Sequence, residues 1–125
     1  MEILNTNKAP GAIGPYSQAT KANGFIFVSG QIPLDPITGE LKCDVKEATI
    51  QSLTNIENIL ISGNSDRNHI LKVNIFLTDM NDFAKVNEAY DTFFKAPYPA
   101  RACVAVKTLP KNAVLEIEAI ATYDE

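Results

Sequence analysis

Apolar residues fall along this chain in two rhythms. Some segments carry them in short continuous or alternating runs, and others carry them every third or fourth residue. The run 25-FIFVSG-30 reads as a buried strand that stops at Gly30. The stretch 33-PLDPITGEL-41 is turn chemistry, with Asp35-Pro36 and Gly39 set between apolar residues. Thr49, Leu53, Ile56 and Leu60 then recur at helical spacing and predict a helix over 45–61. Asp44 and Glu47 ahead of it resemble a capping box with Asp in the place of Ser or Thr, and Gly63 is a stop. A strand follows at 71-LKVNIFL-77. A second helix, capped by Asn81 or Asp82, carries the stripe Phe83, Val86, Tyr90 and Phe93. Strands at 101–107 and 114–122 end the chain, and 10-PGAIGPYSQA-19, with two prolines and two glycines, reads as an irregular loop. Helices and strands are interleaved, with hairpin-like turns early and late. The pattern predicts one two-layer α+β domain over residues 1–125, its two helices covering one face of a mixed sheet.

Length and charge narrow this picture. A chain of 125 residues with 46% hydrophobic content can build a core of its own. A net charge of −4, with the lysines scattered singly, argues against a general grip on nucleic acid. The start, MEILNTNKAP, shows no charged leader before an apolar core, so no signal peptide is expected, and no apolar run approaches membrane-spanning length. Cys43 and Cys103 stand in no paired metal or redox spacing. They read as two reduced thiols in a cytoplasmic or organellar protein, a secreted protein with one disulfide being the alternative. His69 is the sole histidine and has no Cys/His cluster around it, which argues against a zinc site. No phosphate-cradling glycine loop is present.

Four positions sit oddly in a plain core. Ser29 ends an apolar strand beside Gly30. It reads either as a hydroxyl bonded to backbone, which the sequence alone favours, or as a group aimed into a pocket where the glycine admits a ligand. Asn87 lies one turn after Phe83 and three residues before Tyr90, so it edges the apolar stripe, pairs internally or faces a polar cavity. In 114-VLEIEAIA-121, alternation puts Leu115, Ile117 and Ala119 on one face and Glu116, Glu118 and Ile120 on the other. Such a glutamate pair is usually a solvated face and less often a catalytic carboxylate. Arg101 stands at the mouth of the run Ala-Cys-Val-Ala-Val, just after a proline that stiffens its approach. It reads as a structural ion pair or as a clamp whose parallel N–H groups match a carboxylate or phosphate.

Four stretches, 14-GPYSQA-19, 27-FVSGQIPLDPITGE-40, 73-VNIFLTDMNDFAKVNEAY-90 and 98-YPARACVAVKTLPKNAVLEIEAIA-121, run nearly end to end. In this order they resemble the reactive-intermediate deaminases, the RidA-like family also called YjgF/YER057c/UK114 or endoribonuclease L-PSP. The resemblance implies a chorismate-mutase-like α+β fold and a homotrimer with active sites in clefts between neighbouring subunits. It implies hydrolysis of 2-imino acids, such as 2-iminobutanoate and 2-iminopropanoate, to 2-oxo acids and ammonia without a cofactor. By the same resemblance Arg101 binds the substrate carboxylate and Glu116 positions or activates the attacking water. Tyr16, Ser29 and Asn87 line the pocket, while Gly30 and Cys103 border it through their backbone, so the Cys103 thiol need not be a nucleophile. A protonated imine is a cation beside a carboxylate, so Arg101 and Glu116 are expected at opposite ends of the pocket.

Two other functions compete. One is an endoribonuclease that inhibits translation, against which the charge of −4 and the lack of a histidine pair weigh. The other is a non-catalytic module that holds a small 2-oxo acid or a protein partner.

Overall fold

The helical stripe of the first helix is fully realised. Leu53, Ile56, Ile59 and Leu60 are 0% exposed, and each such burial contributes about 1.5–3 kcal/mol. The computed structural model describes residues 1–124. It has a six-stranded sheet of β1 (Glu2–Leu4), β2 (Ala19–Ala22), β3 (Phe25–Gln31), β4 (Ile70–Leu77), β5 (Ala100–Ala105) and β6 (Leu115–Thr122). Helices α1 (Val45–Ser62) and α2 (Phe83–Phe93) lie between β3 and β4 and between β4 and β5. The strand order is β1-β2-β3-β6-β4-β5, parallel only between β4 and β5. That one parallel pair needs a crossover, and α2 supplies it.

Asp44 caps α1 by accepting from the Glu47 N–H at 3.1 Å, and the Gly63 N–H closes the other end on Leu60 and Ile61. Gly63 is required for packing: a Cβ there would lie 2.4 Å from Leu4 Cδ1. The cap position of α2 is one of the two expected, but the side-chain bond is made elsewhere. Asp82 occupies the cap position without a side-chain bond, and Asp79 instead accepts from the Asn81 N–H ahead of a 3-10 turn at Met80–Asp82. Asp79, immediately before the turn and extended, has the reach that Asp82, already helical, lacks. β5 ends at Ala105, short of the expected 107, although the Val106 N–H still donates to Leu77 at 2.7 Å.

Strands β1 and β2 were not expected. β1 has three residues, and ATKA in β2 carries little of the β-branched and aromatic character that marks strands. Their signal was Asn23-Gly24, with φ of 54° and 86°, which joins β2 to β3 in a two-residue hairpin turn.

The core lies between helices and sheet, where Ile26, Val73, Ile75, Leu77, Leu115 and Ile117 meet α1 and α2. The opposite face of the sheet carries Phe25, Phe27 and Val104 at 41%, 51% and 47% exposure, uncovered within the chain. Among the described residues no helix is long and apolar enough to cross a membrane.

One ionic latch ties the end of the chain to the turn after α1. His69 Nδ1 lies 2.8 Å from Asp66 Oδ1, and Nε2 lies 3.2 Å from Asp124 Oδ2. The hydrogen bond to Asp66, then the Asp124 charge, hold the His69 pKa above 6.5, while His69 holds the Asp66 carboxyl below its usual range. A raised histidine pKa stabilises below the unfolded value and is lost as pH rises through the folded one; the lowered carboxyl keeps the pair charged down to acidic pH. His69→Gln should therefore lower the melting temperature most near pH ~5.5 and little above pH ~8.5. An equal deficit at both pH values would sink this account.

Candidate active site

Arg101 owes its position to the β4–β5 ladder. It is level with Val73, and Cys103 is level with Ile75, so both take the face that α2 covers. The Arg101 guanidinium carbon lies 4.8 Å from the Tyr90 ring centroid and 5.6 Å from that of Phe83. Among the described residues Arg101 pairs with no carboxylate. It opens onto a cleft of about 600 Å³ lined by Asn87, Glu88, Tyr90, Asp91 and Tyr98. Among the described residues, Asn87 Oδ1 and the Tyr90 hydroxyl are buried there without a partner. Burial pushes the Tyr90 hydroxyl up to about 12, against the pull of Arg101. Burial also raises the Cys103 thiol, again opposed by Arg101. A protonated thiol is a poor nucleophile.

Glu116 is placed by the other half of the same alternation. It is level with Phe76 in β4, on the face away from the helices. Its carboxylate lies against Gly30, in the stretch between Val28 and Gln31 where the β3–β6 register shifts. A Cβ on Gly30 would come within 2.8 Å of the Glu116 carboxyl carbon and 3.0 Å of Oε1, so glycine is what admits the acid. Burial first, then the neighbouring charge of Glu118, raises the Glu116 pKa above 4.5. Glu118 in turn accepts from Asn74 at 3.2 Å.

The loop that carries Tyr16 is tied to this side. The Ser29 hydroxyl donates to the Ser17 carbonyl at 2.6 Å, and the Ser29 N–H donates to the Gln18 carbonyl at 2.9 Å. The Gln18 side chain, 2% exposed, accepts from the Thr6 N–H and donates to the carbonyls of Thr6, Ala9 and Pro10. Tyr16 and Gly30 share a small cavity of about 60 Å³ with Ile13, Gln31 and Lys111.

The chain thus gathers the expected site residues into two groups. Arg101, Asn87 and Cys103 lie on the helix side at the β5 edge, and Glu116, Gly30, Ser29 and Tyr16 lie around β3 and β6. Arg101 and Glu116 are two strands apart and three residues apart in register, on opposite faces. Interstrand and residue spacings then put their Cα atoms about 14 Å apart. One chain does not bring them to the two ends of one pocket. Among the described residues no group of three or more His, Cys, Asp or Glu side chains could hold a metal ion.

Sequence reasoning missed Tyr90 and Phe83 as site residues, because their helical spacing made them core. It missed Gln18 because a buried amide inside a Gly/Pro loop has no periodic signature. Lys111, which lines the small cavity beside Tyr16, is held with Asn112 at left-handed φ of 56°, a conformation that no pattern in the sequence marks.

Comparison with known proteins gives a consistent picture. A family model described as Endoribonuclease L-PSP matches residues 6–123. TdcF of Escherichia coli K12, named as a reactive intermediate deaminase, is 47% identical over 123 residues, covering 96% of this chain and 95% of that protein. A mouse protein named 2-iminobutanoate/2-iminopropanoate deaminase is 46% identical over 121 residues, covering 96% of this chain and 90% of that one. The crystal structure of E. coli TdcF with bound serine superposes with a TM-score of 0.95 at 46% identity, covering 99% of this chain and 100% of that one.

Glu118→Gln isolates one cause of the Glu116 shift. The Glu116 carboxyl should then titrate lower than in the wild type yet stay above 4.5, because burial remains. Carboxyl carbon chemical shifts followed against pH report this, and an unmoved titration would remove Glu118 from the account.

Proposed function

The chain belongs to the endoribonuclease L-PSP family, and from that premise we propose that it is a cofactor-independent imine deaminase. It hydrolyses 2-iminobutanoate and 2-iminopropanoate to the 2-oxo acids and ammonia. The observation that carries this reading is Arg101, a guanidinium laid on two aromatic rings at a cleft and paired with no carboxylate among the described residues. The mouse relative is named as a deaminase of 2-iminobutanoate and 2-iminopropanoate, small acids of that kind.

In this reading Arg101 holds the substrate carboxylate through parallel N–H donors and so aims the imine carbon. Water adds to that carbon while a carboxylate takes its proton. The carboxylate passes that proton to nitrogen, giving a carbinolamine; it then takes the carbinol O–H proton and delivers it to the amine, so the C–N bond breaks, ammonia leaves and the carbon–oxygen double bond of the 2-oxo acid forms. Glu116 suits the proton transfers, since burial and Glu118 have raised its pKa toward the working range. Asn87, Tyr16, Ser29 and the backbone at Gly30 and Cys103 line the site.

Because Arg101 and Glu116 lie on opposite faces, the site is built between copies of the chain. We place it in the clefts of a homotrimer, with Arg101 from one subunit and Glu116 from its neighbour. The uncovered face with Phe25, Phe27 and Val104, and the exposed edge strand β5, support this assembly. An endoribonuclease reading is not favoured, because the net charge of −4 with singly scattered lysines offers no grip for a phosphate backbone.

The test generates 2-iminobutanoate from threonine with a dehydratase and follows 2-oxobutanoate. Wild type should accelerate its formation, Arg101→Ala should lose that acceleration, and Glu116→Gln should lower kcat about a hundredfold or more. Co-refolding the two variants as mixed trimers should restore about a quarter of wild-type activity, the chance that neighbours supply one intact member each. Mixtures as inactive as their parents would refute the shared site.

A further inference from the structure

β5 is an edge strand whose residues are exposed, apart from half-buried Cys103. An arginine there would ordinarily sample many rotamers or fall into an ion pair with the nearest acid. Two acids line its cleft, Glu88 and Asp91, both on α2. Each is held elsewhere: Lys46 Nζ lies 3.0 Å from Glu88 Oε2, and the Tyr98 hydroxyl donates to Asp91 Oδ1. What Arg101 does contact is a ring that cannot move away. Tyr90 is 5% exposed, its ring centroid is 4.7 Å from that of Phe94, and Phe94 meets Phe93 edge-on at 5.0 Å. The Arg67 guanidinium closes that stack on Phe93 at 3.7 Å. Phe83, one helical turn before Asn87, flanks the Arg101 guanidinium from the N-terminal end of α2.

We propose that Tyr90, flanked by Phe83, is the positioning residue for Arg101. Its locked ring face carries the guanidinium, so the N–H fork is presented to an incoming carboxylate rather than spent on the acids of α2. The attraction is that of a cation for the face of a ring and needs no hydroxyl. The hydroxyl is buried without a partner among the described residues, so its removal breaks no hydrogen bond among them. The inference rests on the reading of Arg101 as the carboxylate clamp of an imine deaminase.

The experiment compares wild type with Tyr90→Phe, Tyr90→Leu and Phe83→Leu. It measures turnover of 2-iminobutanoate, calorimetric affinity for 2-oxobutanoate, and the Arg101 Nε–H resonance. Tyr90→Leu should raise KM and the 2-oxobutanoate Kd about tenfold while kcat stays within about threefold. Tyr90→Phe should match wild type in all three measurements and melt no lower. A KM for Tyr90→Leu within about twofold of wild type overturns the proposal, and so does a Tyr90→Phe as impaired as Tyr90→Leu. If wild type does not accelerate imine hydrolysis, the deaminase reading falls by itself and the resonance decides the cradle. A sharp, ring-shifted Nε–H in wild type and Tyr90→Phe that is lost in Tyr90→Leu supports it, and one identical in all three overturns it. Should Tyr90→Leu fail to assemble, Phe83→Leu carries the same comparison. A KM raised about threefold then supports the cradle, and an unchanged one overturns it.

Discussion

The two-residue period of the central strands decides where everything else in this chain can go. In β6, Leu115, Ile117, Ala119 and Ala121 turn toward the helices and are buried, and the residues between them turn away. β4 repeats the alternation beside it with Val73, Ile75 and Leu77. A slip of one residue would put the glutamates of β6 under α1 and expose the core, so the register is strongly held. Once it is held, the parallel ladder from β4 fixes Arg101 on the helix side, and the antiparallel ladder fixes Glu116 on the other. Core and candidate site are thus two readings of one pleat.

The same constraint leaves the sheet with two unlike faces. One face of the sheet is paid for by the helices, and the other displays Phe25, Phe27 and Val104 with nothing from the chain above them. Its far edge is a strand with free backbone groups and small residues. Surfaces of this kind attract further strands and further apolar area. In the proposed trimer, closed association of identical copies would cover the face and use the edge at once, and a cyclic contact would stop growth where an open one forms fibres.

Much of this was legible in the sequence. α1 was visible down to its cap, because a long stripe such as Thr49, Leu53, Ile56 and Leu60 has only one regular solution. The faces of β6 were visible because alternation is the direct signature of a half-buried strand. What escaped was set by single local contacts or by tertiary pairing. β2 is a strand because a left-handed Asn23-Gly24 turn folds it onto β3, not because ATKA prefers to be one. The cap bond near α2 escaped because Asp79 makes it one turn early, while Asp82 keeps the expected cap position without a side-chain bond. In the candidate site, Arg101 and Glu116 stood out by type, but their separation across the sheet depends on a β6–β4–β5 order that no spacing in the sequence specifies. Tyr90 was counted as core, and so it is; its ring serves the packing with one side and the arginine with the other.

A site that must hold a guanidinium and a carboxylate faces a chemical difficulty of its own. At contact distance the two attract by about 4 kcal/mol near a protein surface. Within one pocket of one chain they would pair with each other, and a substrate would have to break that pair before binding. The fold avoids this by putting a sheet between them. Arg101 rests on rings that attract it without consuming its N–H donors, and Glu116 rests on the Gly30 backbone with its pKa raised rather than lowered. Neither is neutralised before assembly. In the proposed trimer they meet only across the width of a ligand that carries a carboxylate at one end and a developing ammonium at the other. The charges that would quench each other in a single chain are then satisfied, in order, by the substrate itself.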